Sequence, residues 1–369
     1  MTPQEEFCPN QACPDRGKVG VGNIVSHSKK EQRCKCKTCG KTFSVRKGTA
    51  LYGIKKDAEL FVMVVTLLAF GCPVQAIVMA MGLDERTVRS WWLKSGKQSE
   101  QVHEAIIGRS QLDLQHVQAD ELKVKTRGGT LWMALAMMVS TRLWLGGVIG
   151  EKRDTTLIAS LVAKVRQVAL CRDLLLAVDG LASYVKAFQH AFRTPLHTGK
   201  RGRPRLMAWY GIHIVQVVKQ RTPKPFTIIR RIVQGNDATV HTLLQRSKGG
   251  QVINTAYIER LNATFRQRIS SLVRRSRQAA SQQATLHASM YLVGTVYNFC
   301  VPHHSLRLPI WLSSKRKRWV QRTPALATGL TDHIWTVQEL MTFKVAPPPY
   351  VPPKRRGRPP KKRLAEGQS

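Results

Sequence analysis

From Leu60 to Leu83 the chain is apolar with no charged residue. That length is enough to span a bilayer, but Gly71-Cys72-Pro73 interrupts the stretch and Thr66 and Gln75 dilute it. It therefore reads as two short buried helices rather than a membrane span. The first runs from about Ala58 to Phe70 and stops at Gly71. The second opens at Pro73, a residue suited to the first helical turn, and ends at Gly82, and a third follows Asp84 as its N-cap. Three such helices predict a helix-turn-helix. In the third, Val88 and either Trp91 or Trp92 face the core. Arg86, Thr87, Arg89, Ser90 and Lys94 are left outward, as suits a helix lying in a DNA major groove. A polar helical stretch continues from Gly96 to Arg109.

Beyond Arg109 the period changes. Leu112 to Val117 leads into Gln118-Ala119-Asp120-Glu121-Leu122, and Leu131 to Ser140 with Leu143 to Ile149 predicts a hairpin around Thr141-Arg142. Asp154 caps a helix to about Val168, with Leu157, Ile158, Leu161, Val162 and Val165 at helical spacing. Leu174 to Val178 is a continuous apolar run of the kind found in strands covered on both faces, and it ends on Asp179-Gly180. This order predicts a mixed sheet in an α/β layer architecture. Further strands are expected at Ile212 to Val218 and Phe226 to Val233. A helix after Asn254 places Ile258, Leu261, Phe265, Ile269 and Leu272 on one face and Glu259, Asn262 and Arg266 on another. Another helix spans about Gln282 to Cys300. The end of the chain, Pro347 to Pro353 followed by Lys354-Arg355-Arg356-Gly357-Arg358, is too polar and Pro-rich to pack.

Charge changes the picture most. The 369 residues hold 59 Lys and Arg against 22 Asp and Glu, a net charge of +37, far beyond what solubility needs. A polyanionic partner, nucleic acid or an anionic membrane, is the physical reading. Between Gly180 and Thr331 there are twenty-five Lys and Arg but only two acids, Asp237 and Glu259. An acid on so basic a surface is either neutralised by a neighbour or kept for chemistry.

Five of the eight cysteines fall before residue 40, clustered as for a metal rather than spaced as for a disulfide framework. Cys8, Cys13, Cys36 and Cys39 fit one tetrahedral Zn2+, with Cys34 as an alternative to Cys36. The first twenty residues show no basic region followed by an apolar one, so no secretion is expected, and the compartment reads as reducing and cytoplasmic.

Asp120 and Asp179 at strand ends and Glu259 on a helix form a set of hard oxygen donors from separate elements, the kind a pair of Mg2+ (or Mn2+) ions needs for in-line phosphoryl displacement. Glu121 could stand in for Asp120, Asp179 could serve as a turn residue, and Glu259 could pair with a neighbouring arginine.

The cysteine cluster, the three helices, Asp120-Glu121-Leu122, Val178-Asp179-Gly180 and Asn254-Thr255-x-Tyr257-Ile258-Glu259-Arg260-Leu261-Asn262, in this order, resemble the DDE transposases of the insertion sequence 1 family. The likeness extends from Cys8 to about Arg307. It implies a zinc ribbon over residues 1–47, a helix-turn-helix over 55–98, and a ribonuclease-H-like catalytic core over 110–307 that carries a basic insertion at about 194–250. It further implies Asp120, Asp179 and Glu259 as ligands of two metal ions, cleavage at element ends, transfer of the freed 3′-hydroxyl to target DNA, and a homo-oligomer on double-stranded DNA. Arg260 and Arg266 are candidates to hold its phosphates. A domesticated, catalytically inactive DNA-binding regulator is the other class of reading. Residues 308–369 form a basic extension without counterpart in the family. Arg-Gly-Arg-Pro occurs in it at Arg356 to Pro359 and also at Arg201 to Pro204, and resembles an AT-hook, in which Arg356 and Arg358, or Arg201 and Arg203, would lie in a narrow minor groove.

Overall fold

The computed structural model describes residues 3–126, 129–196, 199, 202–220, 227–273, 282–311 and 317–352. They fall into two compact units, one made of the segment up to Gly48 with the segment from Ala346, the other of Thr49–Val345.

In the smaller unit, β1 (Ile24–Ser28), β2 (Arg33–Cys36) and β3 (Thr42–Ser44) form an antiparallel sheet in that order. Its core is little more than four buried cysteines with Ile24, Phe43 and Val45. So small an apolar cluster cannot carry a fold without a covalent or metal staple.

The larger unit begins with α1 (Ala58–Ala69), α2 (Val74–Met81) and α3 (Glu85–Ile106). The expected punctuation is present. Gly71 and Gly82 take left-handed backbone angles, with φ of 85° and 58°, and the Asp84 carboxylate accepts from the Arg86 N–H at 2.8 Å. Val88 is fully buried, and of the two tryptophans it is Trp91 that packs inward, edge-on to Phe61 with ring centroids 5.2 Å apart. The polar stretch after Gly96 is the second half of α3 rather than a separate helix. It stays helical because α3 buries a long seam against α8 (Gln283–Phe299). At the crossing, a β-carbon on Gly96 would sit 2.4 Å from the Ala288 β-carbon and 2.5 Å from its α-carbon. The α-carbon and the Ala288 carbonyl oxygen, 2.7 Å away, belong to a helix backbone and cannot move aside. Gly96→Ala is therefore expected to destabilise the unit by about 1–3 kcal/mol, read as a lower midpoint of thermal unfolding. An unchanged midpoint would show that the two helices have room to part.

The remaining elements in chain order are β4 (His116–Thr126), β5 (Gly129–Met138), β6 (Trp144–Gly150), α4 (Thr155–Val168), β7 (Leu174–Asp179), α5 (Ala182–Ala191), β8 (Arg193–Leu196), β9 (Arg205–Ala208), β10 (Ile212–Gln220), β11 (Thr227–Gln234), α6 (Asp237–Arg246), α7 (Ala256–Arg268), α8, β12 (Leu308–Trp311), β13 (Lys317–Val320), α9 (Pro324–Thr328) and α10 (Val337–Thr342). Six strands make a mixed sheet in the order β11-β10-β7-β4-β5-β6. Pairs β10/β7 and β7/β4 are parallel and the others antiparallel. The α/β layer architecture with a mixed sheet is thus present. Helices α4 and α5 pack on one face through Leu157, Leu161, Val165, Tyr184 and Phe188. Helices α7 and α8 cover the other through Ile258, Leu261, Phe265, Met290 and Tyr291, with α6 beside them over β7 and β10.

Two further elements differ from the sequence reading. Asp120 lies near the middle of β4, not at a strand end: beyond it Leu122 and Val124 remain buried while Lys123 and Lys125 point outward. That alternation lets the strand continue past the acid. The stretch after Arg307 also holds more structure than expected, since α9 and α10 pack into the helical layer and the Ala50 N–H donates to the Met341 carbonyl at 2.9 Å. Its sequence signals are Thr323-Pro324 and the capping box Thr336-x-x-Glu339. No helix among the described residues is long and apolar enough to cross a membrane.

Candidate functional site

Strand alternation decides which acids meet. On β4, Gln118, Asp120 and Leu122 face the α7 side of the sheet, where Leu122 joins the core under α7, whereas Ala119 and Glu121 face α4 and α5. Gln118 pairs with Ala177 of β7 in parallel register, and two residues further along stand Asp120 and Asp179. Asp179 in turn pairs with Val217 of β10, two residues before Lys219. Helix α7 is anchored across these strands by buried Gln118. Its Oε1 accepts the N–H groups of Tyr257 and Ile258 at 3.1 and 3.0 Å, and its Nε2 donates to the Asn254 carbonyl at 2.7 Å. One turn along α7, Asn262 Nδ2 donates to Asp120 Oδ2 at 2.8 Å. Placed this way, Glu259 lines the same open cavity of about 490 Å³ as Asp120 and Asp179, with Arg153, Lys219 and Thr255.

Each of the three acids is held. Asp179 Oδ1 accepts from the Leu181 N–H at 3.0 Å, so it does serve the turn, while its Oδ2 is paired with Arg153 at 2.8 Å. Glu259 is paired with Lys219 and accepts from the Thr255 hydroxyl at 2.9 Å. Among the described residues, no Lys or Arg is paired with Asp120. Burial, followed by the charges of Glu121, Asp179 and Glu259, pushes its carboxyl up to about 7. Glu121 is a different case. One of its oxygens, with one each from Asp120 and Asp179, falls in a group spanning no more than 4.8 Å. Its side chain is buried, however, its Oε2 accepts from the Tyr184 hydroxyl at 2.8 Å, and its Oε1 takes Arg153.

Among the cysteines, Cys8, Cys13, Cys36 and Cys39 bring their sulfurs within 4.8 Å of one another. The Cys8–Cys39 and Cys13–Cys36 separations are 3.7 and 3.9 Å. A tetrahedral Zn2+ with Zn–S bonds of about 2.3 Å sets its sulfurs about 3.8 Å apart, so the quartet is consistent with a zinc site. Gly40, at φ 69°, donates its N–H to the Cys36 carbonyl at 2.9 Å and closes the turn that aims Cys36 and Cys39 together. Cys34 lies outside this quartet. Burial drives the Cys8 and Cys13 thiols above their ordinary value, a cost that a bound cation removes.

No protein-family model matches the chain, and no characterised protein matches it closely enough to count as a relative. What the chain does is therefore argued from its own geometry.

The expected DNA-contacting side chains are spread over several elements. On α3, Arg86, Arg89 and Ser90 are exposed and Thr87 is half-buried. Arg89 pairs with Glu85 at 2.6 Å. Lys94 turns back to the Tyr52 carbonyl, and burial lowers its pKa. Arg203 and Arg260 are exposed, and Arg266 is half-buried. Arg201, Arg356 and Arg358 lie outside the described residues; of the first AT-hook-like segment Gly202, Arg203 and Pro204 are described, and the second lies wholly outside. The side chains that the sequence did not reveal are Gln118, Arg153, Tyr184, Lys219 and Asn262. Asn262 was expected to share an outward face with Glu259, yet it is buried against Asp120. No local pattern identifies Gln118, Arg153 or Lys219, because each acts on a residue far away in sequence.

Proposed function

We propose that the chain is a DNA transposase that cleaves the ends of a mobile element and joins them to target DNA. The observation that carries this is the convergence of Asp120, Asp179 and Glu259 on one open cavity of a strongly basic chain. The sheet is read as a ribonuclease-H-like core, α1 to α3 as a helix-turn-helix that docks α3 in a major groove, and the cysteine quartet as a zinc ribbon. The donor set suits a pair of Mg2+ or Mn2+ ions: hard carboxylate oxygens, a raised Asp120, and a buried Asn262 Oδ1 with no hydrogen-bond partner among the described residues. Bound there, the ions would supply Lewis-acid stabilisation of the attacking and leaving oxygens. Asp120, Asp179 and Glu259 would hold them, while Gln118 and Asn262 fix the α7 acid against the strand acids. Arg260, exposed beside Glu259, is placed to receive a backbone phosphate, and no side chain is required as a covalent nucleophile.

The deciding experiment incubates the purified chain with DNA carrying the element ends and scores strand cleavage and joining with and without added Mg2+. Metal-dependent products support the enzyme, and binding without products supports a DNA-binding regulator. A second expectation concerns the charge. Each phosphate neutralised should lower log K by about 0.9 per log unit of salt, so a binding surface that spans many phosphates gives a steep plot. A slope near about 1 would leave no extended DNA track.

A further inference from the structure

Strands β12 and β13 lie beyond the elements that carry the proposed function. Among the described residues they pair only with each other, Leu308 opposite Val320, Pro309 opposite Trp319, Ile310 opposite Arg318 and Trp311 opposite Lys317. All eight residues are exposed. A lone two-stranded ribbon is marginal in water, and this one is held at its base: the His303 N–H donates to the Arg322 carbonyl at 2.9 Å, and Arg322 Nε donates to the Leu306 carbonyl at 2.8 Å. The ribbon is thus anchored to the fold yet buries none of its own side chains.

Cross-strand pairing sorts those side chains. Leu308, Ile310, Arg318 and Val320 share one side, and Pro309, Trp311, Lys317 and Trp319 share the other. The second side has the unusual chemistry. Trp311 is 63% exposed and Trp319 39%. The Arg307 guanidinium lies 3.9 Å from the Trp319 ring centroid, and the Lys317 ammonium lies 4.1 Å from that ring and 5.2 Å from the Trp311 ring. Flat aromatic faces with cations laid against them match an unpaired nucleotide, whose base stacks while its phosphate meets the cation. Duplex DNA hides its base faces and offers such rings little. An apolar protein partner would bury the Arg307 and Lys317 charges beside the rings with no counter-charge, whereas a nucleotide brings its own phosphate, and a bilayer would draw the cations away from the rings to the headgroups.

We propose that the Trp311–Trp319 side of this ribbon binds unpaired nucleotides of a single DNA strand. This rests on the reading of the chain as an enzyme that opens and rejoins DNA, since those steps expose unpaired bases. The test uses the whole chain without added divalent metal. Binding of a labelled oligo(dT) is compared with binding of a duplex of equal length for wild type, W311A/W319A, W311F/W319F and I310S. The double alanine variant is expected to lose on the order of tenfold in oligo(dT) affinity per ring removed while keeping its duplex affinity. The phenylalanine pair should recover most of that loss, and I310S, on the opposite side, should behave as wild type. The proposal is overturned if oligo(dT) affinity is unchanged, if both DNAs weaken equally, or if the tryptophans instead govern binding to phosphatidylglycerol vesicles. Failure here with Asp179-dependent cleavage intact removes the ribbon's role alone. A tryptophan-dependent oligo(dT) affinity without any cleavage removes the enzyme and leaves the ribbon.

Discussion

Asp179→Asn is expected to abolish Mg2+-dependent cleavage of element-end DNA, with Glu259→Gln and Asp120→Asn close behind and Glu121→Gln far milder. The acids are unequal because the sheet treats them differently. Asp120, Asp179 and Glu259 line the cavity, and Asp179 and Glu259 are reachable from solvent. On the proposed two-metal chemistry, removing one charge from such a set would weaken the hold on both ions, and metal stabilisation of a transferring phosphoryl group is worth several kcal/mol, so the expected loss is on the order of a thousandfold. Glu121 faces the opposite layer, with its oxygens committed to Tyr184 and Arg153. Its amide variant leaves Arg153 with a weaker partner and should cost stability more than turnover. The measurement is single-turnover cleavage of labelled DNA, with duplex binding scored in parallel so that loss of binding is not mistaken for loss of chemistry. Equal cleavage by wild type and Asp179→Asn would falsify the catalytic reading. A severe Glu121→Gln defect with Glu259→Gln unaffected would move the site to the cluster Asp120, Glu121 and Asp179.

The contrast between Glu121 and Glu259 also shows how far the sequence reaches. Local signals placed α1, α2 and the start of α3 correctly, because Gly71, Pro73, Gly82 and Asp84 act within one or two turns of where they stand. The apolar run Leu174 to Val178 announced a central strand for the same reason. Asp179 and Glu259 stood out as acids in basic surroundings, and composition is visible without coordinates. What could not be read is how strand and helix meet. Gln118 capping a helix more than a hundred residues away, Asn262 turned inward to Asp120, and Arg153 bridging Glu121 and Asp179 are products of register and crossing angle. The middle-of-strand position of Asp120 was missed because Lys123 and Lys125 resemble the polar residues that end a strand. Here they are its outward-facing half.

Removing zinc is expected to unfold the N-terminal unit and leave the six-stranded sheet standing. The small unit holds three short strands, and most of its buried apolar atoms belong to the cysteines themselves and to Ile24, Phe43 and Val45. Structural zinc contributes roughly 10–16 kcal/mol of apparent binding free energy to comparable small modules at neutral pH, far more than so few side chains supply. Without the ion, four sulfurs crowd within 4.8 Å of one another, and burial opposes ionisation of the Cys8 and Cys13 thiols. Chelation, or Cys36→Ser or Cys39→Ser, should therefore erase amide protection in residues 3–48. The sheet has its own cores on both faces, so protection in β4, β7 and β10 should persist. Cys34→Ser, outside the quartet, should retain zinc at full stoichiometry. N-terminal protection that survives chelation would remove the metal. Loss of zinc in Cys34→Ser with retention in Cys36→Ser would exchange the two ligands.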